Sequence, residues 1–278
     1  MSIDRTHRVV LLRCGSYNPD LVLQKLQQGI NMLGGIRAFV KKGEKILLKP
    51  NLLAPDPPDT ATTTHPEVFR AAAKLLLDFG VDIYCGDSPG FHDPLRALKK
   101  SELLPVAENL GIKIADFKSK KKVFFEQGRQ NRLFEIAKGV LECEGMISLP
   151  KLKTHGFTTM TGAVKNQFGC IPGTTKSGFH AKLEHLDRFS QMLVDLTMFL
   201  KPRLYIMDGI VGMEGNGPRR GNTVDLGVLI ISSDPVAMDA VASQVIGLRS
   251  NQVATTVQGH KSSLGTMDNY EILGDSIE

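Results

Sequence analysis

Aromatic side chains are scarce in this chain of 278 residues, which has no tryptophan and only 4 tyrosines. Proteins that bind single-stranded nucleic acid stack the bases on aromatic side chains. The scarcity therefore argues against nucleic acid as a partner, although the formal net charge is +5. A modest positive excess of this kind favours a small anionic ligand, and a solvated basic surface explains it equally well.

Cysteine is also scarce, and its spacing excludes the common local metal motifs. The four cysteines are Cys14, Cys85, Cys143 and Cys170. No two of them form a C-x-x-C pair, so neither a zinc knuckle nor an internal ferredoxin cluster is encoded locally. Scattered single cysteines are typical of a reducing compartment, and we expect the cytoplasm.

Long apolar runs are missing as well. No run reaches the ~20 residues that a membrane helix needs, and the first seven residues show no signal-peptide core. We therefore expect no membrane partner.

Four common enzyme signatures do not occur in the sequence: G-x-G-x-x-G after the first strand, the P-loop G-x-x-x-x-G-K-[ST], the nucleophile elbow G-x-S-x-G and the zinc motif H-E-x-x-H. Dinucleotide binding in its usual form, nucleotide hydrolysis by a Walker loop and serine-esterase chemistry thus lack their usual signals.

The chain does contain strand-like apolar runs that alternate with helical patterns. The predicted strands are 8–14, 45–48, 81–85, 145–149, 203–207 and 226–231. The predicted helices are 19–33, 65–79, 94–110, 183–200 and 235–246, the second with Thr64 as its N-cap and Glu67 completing a capping box. This alternation predicts an α/β fold with a mostly parallel open sheet flanked by helices, in Rossmann-like layers.

We predict a single α/β domain over residues 1–278, with inserted loops or a small subdomain. The best place for an insertion is 113–135, whose short apolar pieces are typical of edge strands or a hairpin. Two glycine-containing segments, 170–182 and 212–222, are predicted to be loops.

Polar clusters follow five of the apolar runs. They are Lys49-Pro50-Asn51, Gly86-Asp87-Ser88, residues 150–155, Asp208-Gly209 and residues 232–235. The carboxyl ends of parallel strands lie along one edge of an open sheet, where ligands bind. We therefore predict one shared site at that edge.

Lys49 and Asn51 are the first candidates for substrate binding. Pro50 restricts Lys49 to extended backbone, which favours a cation and a directional hydrogen-bonding group held beside an anion. A surface lysine and a turn-capping asparagine are the alternative. Asp87, between two glycines, is a candidate catalytic base, a metal ligand or a cap of the next turn.

Lys151, Lys153 and His155 alternate, so an extended chain places them on one face. Two cations and an imidazole there predict anion binding by the lysines and proton transfer by His155; an exposed strand end is the alternative. Thr161 and Gly162 then begin a short helix whose free N–H groups favour an anion. Thr161, Lys165 and Asn166 complete the predicted substrate-binding set.

A divalent metal is the third prediction. Asp208, Glu214 and Asp239 could supply its oxygen ligands. The glycine-rich segment after Asp208 is alternatively a lid, a substrate loop or a plain surface loop. Asp234 is predicted to cap the helix that Pro235 begins.

Several stretches together resemble the domain-of-unknown-function family numbered 362. They are LLKPNLL (47–53), TTTHPEVFRA (62–71), YCGDSPG (84–90), ISLPKLKTHGFTTMTGAVKNQFGCIPG (147–173), MDGIVGMEGNGP (207–218) and SSDPVAMDAVASQVIGL (232–248). Members of that family often carry, or are associated with, a [4Fe–4S] ferredoxin module. The resemblance implies low-potential redox chemistry, and it supplies no catalytic residues.

These observations leave two functional hypotheses open. One is an enzyme for a small anionic substrate, redox-linked through a [4Fe–4S] cluster on a separate, ferredoxin-like chain. The other is a non-catalytic binding module for an anionic metabolite or for such a ferredoxin-like protein.

Overall fold

The computed structural model of the protein describes residues 7–173 and 175–277. In this part of the chain, ten strands form one main sheet and two form a separate hairpin. The strands of the main sheet are β1 (Arg8–Arg13), β2 (Lys45–Pro50), β3 (Asp82–Cys85), β4 (Lys113–Ile114), β7 (Gly145–Leu149), β8 (Lys151–His155), β9 (Thr159–Thr161), β10 (Leu204–Glu214), β11 (Asn222–Ser232) and β12 (Glu271–Gly274). The hairpin consists of β5 (Lys120–Phe124) and β6 (Leu133–Ala137).

The strand order across the main sheet is β12-β1-β11-β10-β7-β2-β3-β4. β8 continues from β7 and pairs with β10 and β9. Pairing is parallel except where β11 meets β1 and β10, and where β9 meets β8. The predicted mostly parallel sheet is therefore confirmed, with β11 as its antiparallel member.

The longer helices follow the predicted pattern. The helices are α1 (Pro19–Met32), α2 (Pro66–Phe79), α3 (Pro94–Lys100), α4 (Leu103–Asn109), α5 (Lys138–Leu141), α6 (Ala163–Asn166), α7 (Thr175–Lys182), α8 (Leu186–Leu200), α9 (Pro235–Val245) and α10 (Ala254–Lys261). Short 3₁₀ turns occupy Ile36–Ala38, Pro58–Thr60, Gln167–Cys170 and Ser250–Gln252. Proline at the first position and a side-chain cap begin α1, α2, α3 and α9; Asp234 caps α9 as predicted.

The single helix predicted over 94–110 is wrong, because it is broken in two. Glu102 has φ 60°, in the left-handed region, and interrupts the helix between α3 and α4. Pro105 was the sequence signal for this break, because proline lacks the N–H that a continuous helix over 94–110 would need at that position.

The hairpin β10–β11 also differs from the prediction. Residues predicted as a loop from 212 to 222 are partly strand, since β10 runs to Glu214 and β11 starts at Asn222. Asp208 consequently lies within a strand, opposite Leu229 on β11 and Lys151 on β8. The predicted loop over 170–182 is likewise partly helical, because α7 begins at Thr175.

The segment 113–135 contains both of the structures considered for it. β4 pairs with β3 at the edge of the main sheet, and β5 pairs with β6 in the hairpin.

Helices cover both faces of the sheet. Alternate side chains of β2 enter different cores: Leu48 packs with residues of α1 and α2, whereas Leu47 packs with residues of α8. Strands buried on both faces read as continuous apolar runs, which explains the sequence of β2. Across residues 7–173 and 175–277, no helix has both the length and the apolar character required to span a bilayer.

Candidate functional site

A cavity of about 560 Å³ opens where β2, β3 and β8 end. It brings together much of the predicted site, although those residues come from distant parts of the sequence. The predicted residues that line it are Asn51, Asp87, Lys153, His155, Thr161, Lys165 and Asn166. Three of the five predicted polar clusters therefore border one cavity, whereas Asp208-Gly209 and residues 232–235 do not line it.

Lys49 and Asp87 form a buried ion pair at the wall of the cavity, with Nζ 3.1 Å from Oδ1. The Asp87 carboxylate also accepts hydrogen bonds from the backbone N–H groups of Leu52 and Ser88, at 2.7 and 2.8 Å. Lys49 donates to the carbonyl oxygen of Pro50 as well. Three donors thus hold the carboxylate in place, and its role here is to join β2 to β3.

Three lysines at the cavity have no carboxylate within ion-pair distance among the described residues: Lys153, Lys165 and Lys176. Burial lowers the pKa of Lys153 well below its usual range, and the charges of Lys165 and Lys151 lower it further. Burial lowers the pKa of Lys165 to about 8, with the charge of Lys176 as the second cause. Burial also lowers the pKa of Lys176 to about 8.

His155 lies half-buried at the same cavity, and its ring orientation fixes its tautomer. Its Nδ1 accepts hydrogen bonds from the backbone N–H groups of Phe157 and Thr158, at 3.1 and 3.3 Å. An imidazole nitrogen that accepts carries no proton, so the neutral ring has its proton on Nε2. In this form the Nε2–H group is a hydrogen-bond donor, and the Nδ1 lone pair is already used by the two backbone N–H groups.

Two buried oxygens of cavity-lining residues lack a hydrogen-bond partner in the described part of the chain. They are the Oδ1 of Asn51 and the Oγ1 of Thr161. The Nδ2 of Asn51 donates to the Oδ1 of Asn166 at 3.1 Å, and the Nδ2 of Asn166 donates to Ser148 at 2.9 Å. These two hydrogen bonds fix the orientations of both side-chain amides and leave the Oδ1 of Asn51 available to another donor. Unsatisfied buried polar atoms are rare in native proteins, and a ligand is one explanation for them.

The helix N-terminus predicted to bind an external anion is occupied by the protein itself. The backbone N–H groups of Ala163 and Val164 donate to the carboxylate of Asp239, at 2.6 and 3.1 Å. Burial raises the pKa of Asp239 to about 7, although these hydrogen bonds oppose the shift. Asp239 therefore fastens α9 to the start of α6.

The predicted metal ligands are not brought together. Asp208 accepts hydrogen bonds from Lys151 Nζ at 2.7 Å, Tyr17 Oη at 2.9 Å and the His65 backbone N–H at 2.9 Å. Lys151 is consequently a structural cation for Asp208 and does not line the main cavity.

Glu214 lies exposed at the end of β10, and Asp239 caps α6. Within residues 7–173 and 175–277, no group of three His, Cys, Asp or Glu side chains is arranged to hold a metal ion. The predicted trio of Asp208, Glu214 and Asp239 thus does not fit a divalent metal, because Asp208 and Asp239 are held by separate sets of donors and Glu214 lies exposed at the end of β10.

The cysteines do not fit an iron–sulfur cluster either. All four are free, and Cys14, Cys85 and Cys170 are buried. Burial raises the pKa of Cys85 and of Cys170 to about 12. A cluster needs several thiolates around one point, whereas these thiols lie in separate elements and are held protonated.

Two cationic residues of the cavity were missed from the sequence. Lys176 lies in α7, which was predicted as loop, and its Nζ donates to the Ser88 carbonyl oxygen. The apolar pair Phe179 and Leu183, four residues apart, was the signal for that helix. Arg219 makes a bidentate ion pair with Asp56, at 2.8 and 2.9 Å, and so joins the glycine-rich loop to the loop after β2.

Comparisons with known proteins agree with the sequence motifs. The family model that matches is described as "Domain of unknown function (DUF362)", and it covers residues 46–244. A thylakoid-associated protein of Synechocystis sp., sll1697, is 37% identical over 248 residues, which are 89% of this chain and 77% of that protein.

Two solved structures are similar at lower identity. The lactate racemase apoprotein of Thermoanaerobacterium thermosaccharolyticum has a TM-score of 0.49 at 15% identity, and a Thermotoga maritima protein has 0.44 at 11%. They match 86% and 85% of this chain, which spans 58% and 61% of theirs.

Proposed function

The chain belongs to the family described as domain of unknown function DUF362, and we propose that its cavity binds a small anionic ligand. The ligand carries a carboxylate or phosphate group that supplies the missing negative charge to Lys165 and Lys176.

The contrast among the buried lysines supports this proposal most directly. Lys49, Lys151 and Lys153 are all at most 2% exposed. Lys49 pairs with Asp87 and Lys151 pairs with Asp208, whereas Lys153 donates only to the Thr62 carbonyl oxygen among its described neighbours. Burying a cation without a partner is costly, so Lys153 borders the cavity as the neutral amine, and Lys165 and Lys176 are the cations to which the ligand brings a counter-charge.

The apolar wall indicates what else the ligand contains. The same cavity is lined by Leu52, Leu53, Phe91 and Phe168. Lys165 Nζ and Lys176 Nζ each lie 5.8 Å from the centroid of the Phe168 ring. A cavity of this size and mixed lining accepts a small molecule with an acidic group and a short apolar portion.

The proposed chemistry is proton transfer on this ligand. Asp87 is the weaker of the two predicted catalytic residues because three donors occupy its carboxylate, and His155 presents a proton rather than a lone pair. Lys153, as a neutral amine, is the better base. A non-catalytic module for an anionic metabolite is the alternative, and it requires the same cations without turnover.

Redox chemistry remains part of the proposal only if a separate protein supplies the electrons. A ferredoxin-like partner would bring the cluster, since the cysteines of this chain do not fit one. We also keep the cytoplasm as the proposed compartment, on the basis of the four free thiols; thylakoid association is stated for the relative.

A thermal-shift and calorimetric screen of small carboxylates and phosphates tests the proposal. A ligand at 100 times its Kd raises the free energy of unfolding by about 2.7 kcal/mol. We expect the Lys165→Met/Lys176→Met double variant to lose the shift. Lys74→Met is the matched control, because Lys74 is exposed on α2 and lies away from the cavity.

Two results decide between the hypotheses. A full screen without any anion-dependent shift contradicts the proposal. If a ligand binds, loss of turnover in Lys153→Met with binding retained identifies an enzyme, while binding without any turnover identifies a binding module.

A further inference from the structure

Lys153 has the surroundings of a nucleophilic amine. It is 2% exposed, borders the cavity and, among the described residues, has no carboxylate within ion-pair distance. Two other lysines, Lys151 and Lys165, lie near enough to disfavour its protonated form. A lysine that is desolvated beside other cations keeps a free lone pair at neutral pH, which is the condition for imine formation.

We propose that Lys153 forms an imine with the carbonyl carbon of a small 2-oxo carboxylate bound in this cavity. The proposal rests on the proposed function, because the same cavity must first bind the carboxylate. It goes further, since it names the ligand class and the atom of the protein that reacts.

The step balances within the cavity. The lone pair of Lys153 Nζ forms a bond to the carbonyl carbon, the C=O π pair moves to oxygen, and a proton from the amine neutralises that oxygen. The C–O bond then breaks and the hydroxyl leaves as water with a proton from the Lys165 ammonium group. The nitrogen lone pair forms the C=N bond, and the nitrogen keeps its remaining proton, so the product is the protonated imine beside a neutral Lys165. No oxidant or reductant is consumed.

The neighbouring groups suit the two ends of this ligand. Lys165 and Lys176 border the cavity with no ion-pair partner in the described part of the chain, and they bind the carboxylate. The hydroxyl formed in the intermediate is a donor, and the unpartnered Oδ1 of Asn51 is a matching acceptor. Lys49 and Lys151 are poor competitors for the carbonyl, because each is held by a carboxylate.

Reductive trapping tests the proposal. The full-length protein is incubated with pyruvate and sodium cyanoborohydride near neutral pH, and modified lysines are mapped by peptide mass spectrometry. We expect the mass gain of one 1-carboxyethyl group on Lys153, at least tenfold above its level on the exposed Lys74. Sulfate in excess should suppress this modification and leave that of Lys74 unchanged.

Modification of exposed lysines with none on Lys153 overturns the proposal. The variant Lys153→Arg removes the nucleophilic amine, so a total yield of trapped adduct on the cavity lysines that stays unchanged in that variant also overturns the proposal. Sulfate binding without trapping would refute the imine and leave the anion site standing. Trapping on Lys153 that Lys165→Met/Lys176→Met does not weaken would support the nucleophile and contradict the proposed anion site.

Discussion

Gly169 lies so close to Asp87 that there is no room for a side chain at position 169. A Cβ on Gly169 would come within 1.8 Å of the Asp87 Oδ1 and 2.7 Å of the Lys49 Nζ. The backbone after α6 therefore lies directly against the buried ion pair that joins β2 to β3. The position of this turn and that of the charged pair depend on each other.

Gly169→Ala should consequently disturb both the ion pair and the cavity. We expect a loss of about 1–3 kcal/mol of unfolding free energy, the usual cost of overpacking a buried site, and at least tenfold weaker sulfate binding. Chemical denaturation and calorimetry measure the two effects. Gly178→Ala is the control: in the described part of the chain, no atom beyond the adjacent residues and the backbone of α7 lies within 4 Å of its Cβ position, so that change should be neutral or slightly stabilising. Equal effects of the two substitutions would contradict the argument.

Lys49→Met should leave Asp87 buried without its cation. Breaking a buried pair on one side costs about 3–5 kcal/mol, and we expect the lower end because two backbone N–H groups still stabilise the carboxylate. The double variant Lys49→Met/Asp87→Asn should recover part of the loss. Urea denaturation of Lys49→Met, Asp87→Asn and the double variant gives the coupling free energy between the two residues. If the double variant loses the sum of the two single losses, the pair is not an energetic unit.

Sulfate binding should weaken as the pH rises through about 8. Lys165 and Lys176 have pKa values of about 8 in the ligand-free protein, so both are charged below that pH and neutral above it. An anion that needs them protonated should bind at least about tenfold more tightly at about pH 7 than at about pH 9.5. Sulfate keeps its own charge over this range, and calorimetry at the two pH values measures the ratio. A pH-independent affinity would show that these lysines do not bind the anion.

Asp239→Asn should change how stability depends on pH. The raised pKa of about 7 means that the folded protein holds a proton on Asp239 that the unfolded chain releases near pH 4. The stabilisation from this proton is complete below about pH 4 and is lost as the pH rises through about 7.

The difference in unfolding free energy between the wild type and Asp239→Asn should therefore decline over that range, by a few kcal/mol in order of magnitude. Denaturation curves at about pH 4.5 and about pH 7.5 measure it. A difference that stays constant between the two pH values would mean that Asp239 is ionised throughout.

Thr161→Val separates ligand binding from stability. The Oγ1 of Thr161 is buried without a partner among the described residues, and a buried unsatisfied hydroxyl costs about 1–3 kcal/mol. The isosteric valine should raise the unfolding free energy of the ligand-free protein and should weaken sulfate binding. Thermal unfolding with and without sulfate gives both results. Lower stability of the variant would show that the hydroxyl already has a partner.

Much of the fold could be predicted from the sequence because buried strands and helices show as apolar runs and periodic patterns of residue types. The apolar run of β2 reflects contact on both faces of the sheet, and the Pro235 start of α9 with Asp234 as its cap was recognisable from residue types alone. The break at Glu102 was missed, although Pro105 indicated it: proline cannot donate the hydrogen bond of a continuous helix, and Glu102 itself is not a residue type that marks left-handed backbone.

The candidate site divides in the same way. The sequence by itself determined that polar residues follow the strands and that parallel strands end at one edge, and this was enough to place Asn51, Asp87 and Lys153 together. Only the tertiary structure decided which groups pair. Asp208 pairs with Lys151, Asp239 accepts from the start of α6, and no carboxylate among the described residues pairs with Lys153. Pairing between charges depends on distances between elements far apart in the chain, and burial decides what each pairing costs. Neither quantity is written in local sequence spacing.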